Sequence, residues 1–184
     1  KDAELVNVVF DQKNDTVLAK AINFLTFGTF FNHDITVTVN TQDLTDEISG
    51  ASGVRQIDLI LKDEEGNVVK TYSNVCNLGE DLDKVFEIPQ NDVDNFKGTV
   101  YVKIYDHATT IDGESNVTDE IFVTTENSNV GFTEFMIEND PAVISDVAPE
   151  NESIHNDEFV FNFNVSDIVK KHYSGINAVE VKVN

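Results

Sequence analysis

Strict two-residue alternation of apolar and polar side chains is the feature that most constrains this chain. Ile35-Thr36-Val37-Thr38-Val39-Asn40 alternates without a break, and so does Val100-Tyr101-Val102-Lys103-Ile104-Tyr105. Successive side chains of an extended strand point to opposite faces, so such a run hides one face and wets the other. A helix would repeat its apolar stripe every three to four residues, and neither run does. Further segments of strand composition lie at 5–10, 57–62, 68–72, 84–88, 120–124, 143–147, 159–165 and 178–183. Asp63-Glu64-Glu65-Gly66-Asn67 separates two of them with the residues of a tight hairpin turn. No segment joins a helical period to start and stop caps. Short strands spaced by about 8–12 residues, with Asn, Asp and Gly between them, predict an all-β sandwich.

The alternating unit recurs. Residues 34–43 align over 158–167 without a gap, an offset of 124 (158 minus 34). After a loop, residues 52–61 align over 174–183 with an offset of 122 (174 minus 52). Each copy reads strand, acidic loop, Ser-Gly-aliphatic, strand, which is an internal repeat. It predicts two tandem modules. Residues 1–125 are expected to form the first, with an N-terminal extension; 126–140 a linker, of which 131–140 could instead open the second; and 141–184 the first strands of that second module. The first module continues well past Leu61, whereas the sequence ends one residue beyond Val183, so the second is expected to be incomplete. An open half-sandwich leaves an apolar face and an unpaired edge. Truncation, disorder past Asn184, or strands from another chain would account for it, and residues 1–12 would suit as a donor strand.

Charge narrows the range of partners. Thirty-four acidic residues against twelve basic ones give a net charge of −22. Such a field repels phosphate backbones and anionic lipid, so no nucleic-acid partner is expected, and it collects cations. The longest apolar stretch, 17–31, is interrupted by Lys20, Asn23 and Gly28 and is too short and polar to span a bilayer. Its Phe24, Phe27, Phe30 and Phe31 are expected to close one end of the first core, at about 1.5–3 kcal/mol each if buried. The alternative for them is a docking surface for a neighbouring module or a glycan. Lys1 opens no basic-then-apolar leader. Cys76 is the single cysteine, so neither an intrachain disulfide nor a Cys-based metal cluster can form.

Catalytic patterns are missing from the sequence. His33, His107, His155 and His172 fall in predicted turns or loop edges. Nothing resembles Gly-x-Ser-x-Gly, a Gly-rich phosphate loop or His-Glu-x-x-His, so the expectation is a protein that is not an enzyme. Calcium is the chemistry that the residue types favour, because it takes six to eight hard oxygens. Three clusters could supply them. Asp43, Asp46 and Glu47 precede Ser52; Asp106 joins Asp112, Glu114 and Asn116; Glu138, Asn139 and Asp140 sit at the module junction. The second cluster lacks the glycine that an EF-hand loop needs at its sixth position, and the third is loosely similar to cadherin linkers. Asn14, Asn116, Asn151 and Asn164 open N-glycosylation triplets. Lys103 alternates with Val102 and Ile104, so it should face outward and cannot serve as a buried isopeptide lysine.

The Ser-Gly-aliphatic turns Ser52-Gly53-Val54 and Ser174-Gly175-Ile176, each leading into an alternating strand, resemble bacterial immunoglobulin-like and fibronectin type III-like modules of surface proteins. Ser145-Asp146-Val147-Ala148-Pro149-Glu150-Asn151 resembles their first strand and turn, and Tyr105-Asp106-His107-Ala108 their Asp-containing turn after the penultimate long strand. The likeness spans 34–124 and 141–184. Antibody domains are excluded, since the chain has no Trp and one Cys. The resemblance implies tandem immunoglobulin-like sandwiches in a secreted or cell-surface protein. Their role would be stalk, spacer or adhesive, an accessory domain of a large secreted hydrolase, or a surface filament subunit assembled by donor-strand exchange. The partners it implies are neighbouring modules, a surface protein or a glycan.

Overall fold

The computed structural model describes residues 3–12, 30–31, 34–43, 51–78, 82–93, 95–109, 113, 115–130, 134–138, 140–149, 158, 160–167, 175–176 and 178–181. Among these, every regular element is a β-strand. In chain order they are β1 (Ala3–Gln12), β2 (Phe30–Phe31), β3 (Ile35–Asp43), β4 (Val54–Asp63), β5 (Val68–Val75) and β6 (Asp83–Ile88). Then follow β7 (Phe96–Thr109), β8 (Ser115–Val117), β9 (Ile121–Phe122), β10 (Phe135–Ile137), β11 (Val143–Ala148) and β12 (Asn162–Ser166).

The first ten strands form two sheets. One runs β1-β3-β6, all antiparallel; the other runs β2-β10-β7-β4-β5, with β8 and β9 also on β7. Alternation explains why they face each other. Ile35, Val37 and Val39 of β3 are fully buried, and Thr36 and Thr38 between them are partly exposed. On β4 and β7 the same rule sets the register: Ile57 lies beside Ile104, Leu59 beside Val102 and Leu61 beside Val100, all six buried. A one-residue slip would turn both apolar rows to solvent, so the pairing is fixed by burial. A single cluster joins these rows to Val8, Phe10 and Phe86 of the smaller sheet, giving a sandwich-like core. The turn at 63–67 forms as its residues predict. Asp63 Oδ1 accepts from the Glu65 and Asn67 amides at 3.0 and 2.8 Å, and Gly66 takes a positive φ of 84°. Hydrogen bonding from the Asn67 side chain and from the turn amides holds the Asp63 carboxyl below its ordinary range.

Within the stretch expected to be a linker, the described residues 127–129 and 135–138 pack on the first unit. Phe135, Met136, Ile137 and Glu138 are all buried, and β10 pairs antiparallel with β7 and parallel with β2. Residues 127–129 close the outer edge of β1. The Val8 amide donates to the Asn127 carbonyl at 2.8 Å, and Asn129 bonds both backbone groups of Phe10 through its side-chain amide. Three consecutive apolar residues in an otherwise polar stretch are the reason: a linker would leave them in water, whereas the edge of β7 gives them partners. Two expected strands are also shorter than predicted, with 120–124 contracting to β9 and 159–165 shifting to β12. No strand is assigned over the described residues 178–181. Of the phenylalanine-rich stretch 17–31, only 30–31 is described; Phe24 and Phe27 lie outside the described residues.

β11 and β12 form a separate antiparallel pair. Val143 lies beside Ser166, Ile144 beside Val165 and Ser145 beside Asn164. Subtracting 124 from the β12 partners gives Gln42, Thr41 and Asn40, which in β3 lie beside Glu4, Leu5 and Asn7 of β1. In each pair the first strand carries one extra residue, between Leu5 and Asn7 or between Ser145 and Ala148. Such a bulge kinks a strand locally.

Candidate functional site

Strand ends place the predicted calcium ligands. Asp43 closes β3, and its Oδ2 accepts the Gly53 amide at 2.6 Å and the Ser52 hydroxyl at 3.4 Å. Gly53 has a φ of 83°, a backbone conformation open to glycine and strained for other residues. Its carbonyl accepts the His107 amide at 2.8 Å. His107 directly follows Asp106, which lies beside Val54 in the β4–β7 register and is 2% exposed. The Asp106 carboxylate accepts the Ala108 amide and the Asn116 side-chain amide, the latter at 3.5 Å. Asp43, Asp106 and Asn116, predicted in two clusters, therefore meet at one end of the sandwich, joined through Gly53. Asp46, Glu47, Asp112 and Glu114 lie outside the described residues.

The third cluster sits elsewhere. Glu138 follows β10 and is buried, and Asp140 Oδ2 accepts the Asn95 side-chain amide at 3.4 Å. Asn95 precedes β7, whereas Asp106 lies ten residues into it, so about 30 Å of strand separates the two sites. Asn139 lies outside the described residues. Among the described residues, no group of three or more His, Cys, Asp or Glu side chains stands close enough to hold a metal ion.

Each described carboxylate at the β3–β7 end receives an amide. Asp43 and Asp106 thus act first as turn clasps, fixing where the chain leaves one strand and enters the next. The same clasp occurs at Asp167, whose Oδ2 accepts the Gly175 amide at 2.5 Å, with Gly175 at a φ of 88°. His107 is only partly exposed, and its Nε2 is buried without a hydrogen-bond partner among the described residues. This differs from the solvated turn that the sequence suggests. Cys76 is buried and forms no disulfide. Asn164, a predicted glycan acceptor, is exposed and donates to Asp146 at 2.7 Å, while Asn116 is partly buried on β8; Asn14 and Asn151 lie outside the described residues.

One surface feature matches no sequence motif. Lys62 lies 4.4 Å from the centroid of the Tyr101 ring, which stacks on Phe122 at 5.1 Å. Arg55 and Lys103 approach the Tyr105 ring at 5.8 and 5.6 Å. Burial, then a hydrogen bond to Asp58, pushes the Tyr105 phenol above its ordinary range. The signal was present in the β7 alternation, because Tyr101, Lys103 and Tyr105 all occupy the face opposite the core. Cations over aromatic rings contribute roughly 0.5–1 kcal/mol each at exposed sites, which makes this a modest stabiliser of the outer face.

No protein-family model, curated protein or solved structure matches this chain. Among the described residues, no helix is long and apolar enough to cross a membrane.

Proposed function

We propose that this chain is a non-catalytic structural or adhesive segment of a secreted or cell-surface protein, built from immunoglobulin-like units in tandem. The observation that carries the reading is one local device used twice. A carboxylate at a strand end clasps a left-handed glycine that opens the next segment, at Asp43–Gly53 and at Asp167–Gly175. The shared register of β1–β3 and β11–β12 points the same way. The division of strands adds support. On this reading β1, β3 and β6 of one sheet, with β4, β5 and β7 of the other, would take the places of strands A, B and E against C, C′ and F of the immunoglobulin sandwich. Modules that repeat along a chain give reach and stiffness, and an acidic coat keeps such a chain dispersed. Protease added to intact source cells should remove an epitope within residues 54–109. An epitope that survives until the cells are lysed would overturn the surface reading.

Calcium belongs to the same reading. Asp43, Asp106 and Asn116 stand at one end of the first unit, and Asp46, Glu47, Asp112 and Glu114 are their neighbours in sequence, outside the described residues. Glu138, Asn139 and Asp140 border the second unit and form the other candidate. Extracellular calcium modules bind with dissociation constants of about 1 mM. At about 10 mM calcium, one such site stabilises the folded state by about 1.4 kcal/mol, which raises Tm by several degrees. A calorimetric scan should show that rise and its reversal by chelator. An unchanged Tm would remove calcium from the account.

A further inference from the structure

β5 is the outer strand of its sheet, and among the described residues it pairs with β4 alone. The Cys76 amide donates to the Arg55 carbonyl at 2.7 Å, which sets the phase of that ladder. Backbone groups turn to alternate sides along an antiparallel strand, so Lys70, Tyr72 and Asn74 bond to β4. Thr71, Ser73 and Val75 turn their amides and carbonyls the other way, to the open edge. Their side chains stand on the outer face and are exposed, Val75 at 65%, as is Val69 at 46%. Native edges are blunted by charge, proline or brevity, whereas β5 has eight residues, no proline and one charge. That charge, on Lys70, is held by Asp92 at 3.3 Å. A bulge at the start of the strand leaves the ladder from Lys70 to Val75 regular.

We propose that β5 pairs antiparallel with β5 of a second copy of this chain, about a two-fold axis at Tyr72. Charge selects both the edge and its occupant. Most surfaces of a chain with net charge −22 repel their own copy, yet residues 66–78 contain no Asp or Glu. β6, the outer strand of the other sheet, fails the same test. Turned about Val85 onto its own copy, it would set Asp83 beside Glu87, and like charges directly across a pair destabilise it. About Tyr72 the β5 sequence is its own complement. Thr71 of each copy lies beside Ser73 of the other, and Val69 beside Val75. Threonine–serine and β-branched pairs are among the cross-strand contacts that stabilise a sheet. On the opposite face Lys70 lies beside Asn74, so no like charges meet. The outward amides and carbonyls of Thr71 and Ser73 bond reciprocally, and the two-fold axis makes each pair twice, as an isologous contact requires. The interface is independent of where in the cell the protein works.

A contact of one strand per copy is small, so sedimentation equilibrium of the whole chain is run at about 1 mM, tenfold above a dissociation constant of about 0.1 mM. The chain should be predominantly dimeric there. Ser73→Pro removes an outward amide that β4 does not use, and should weaken the dimer about tenfold or more. Thr71→Lys combined with Ser73→Lys should also weaken it about tenfold, because lysine then faces lysine across the pair. That variant makes the chain less acidic by two charges, so simple net repulsion would strengthen association instead. Thr71→Lys combined with Ser73→Glu sets lysine beside glutamate at unchanged net charge, and should dimerise at least as tightly as the natural chain. An unchanged melting transition shows that a variant still folds, and the exposed lysine pair keeps the test open if proline costs the fold. A monomer at this concentration, tighter association of the double-lysine variant, or a dimer that these substitutions do not move would each overturn the proposal.

Discussion

Phe135→Ala should lower the free energy of unfolding by about 3–5 kcal/mol, the usual cost of emptying a large aromatic site in a packed core. Phe135 is the largest of the fully buried side chains, at 1% exposure. Its ring tilts against Phe96 at 5.2 Å and against Phe10 at 6.2 Å between centroids. Those two rings come from different sheets, Phe10 from β1 and Phe96 from β7, so Phe135 fills the space where the layers meet. Alanine would remove the transfer free energy of the ring and also leave a cavity that two neighbouring rings cannot collapse into without leaving their rotamers. Aromatic pairing adds about 0.5–1.5 kcal/mol beyond buried area for such contacts. Urea unfolding followed by tyrosine fluorescence measures the change. A loss below about 1 kcal/mol would mean that β10 lies on the surface of the sandwich and that residues 126–140 are a linker after all.

The fate of that segment shows what one sequence can and cannot disclose. β3 and β7 were legible because period two runs through six or more residues, and their buried rows are the alternating residues of the sequence. The 63–67 turn was legible because Asp, Gly and Asn sit where hydrogen bonding and a left-handed backbone need them. β10 was not, because three residues are too few to show a period, and its burial depends on β7 residues that lie about forty positions earlier in the chain. The parallel pairing of β2 with β10 is likewise a long-range choice that no local pattern encodes. In the candidate site, the acidic residues were legible as types. That Asp43 and Asp106 meet was not, because their meeting runs through the Gly53 carbonyl and the His107 amide, and backbone hydrogen bonds leave no trace in side-chain identity. Asp43 was read as a candidate calcium ligand, yet its carboxylate holds a glycine turn, as that of Asp167 does.

Gly98→Ala should cost about 3 kcal/mol or more, although it exchanges glycine for a residue better suited to ordered backbone. The two contributions have opposite signs, which makes the measurement decisive. Replacing a strand glycine reduces the freedom of the unfolded chain and by itself favours folding by about 0.5–1 kcal/mol. At Gly98 that gain meets a wall. A Cβ there would overlap the Lys62 carbonyl oxygen and stand 2.9 Å from the Lys62 carbonyl carbon and 2.8 Å from Phe96 Cζ. The obstacle is mainly backbone, and it belongs to β4, the strand next to β7. Relief requires β7 to move off β4, yet the same residue is held on its other side by Phe135 of β10. Displacement would loosen the pairs on which Leu61 and Val100 depend. Gly66→Ala gives the contrast. Nothing lies within 4 Å of a Cβ at Gly66, so its cost is confined to the positive φ of 84°, about 1 kcal/mol. Denaturant unfolding of the two variants should therefore rank Gly98→Ala well above Gly66→Ala. Equal losses, or a stabilised Gly98→Ala, would mean that β4 and β7 do not approach as closely as this register requires.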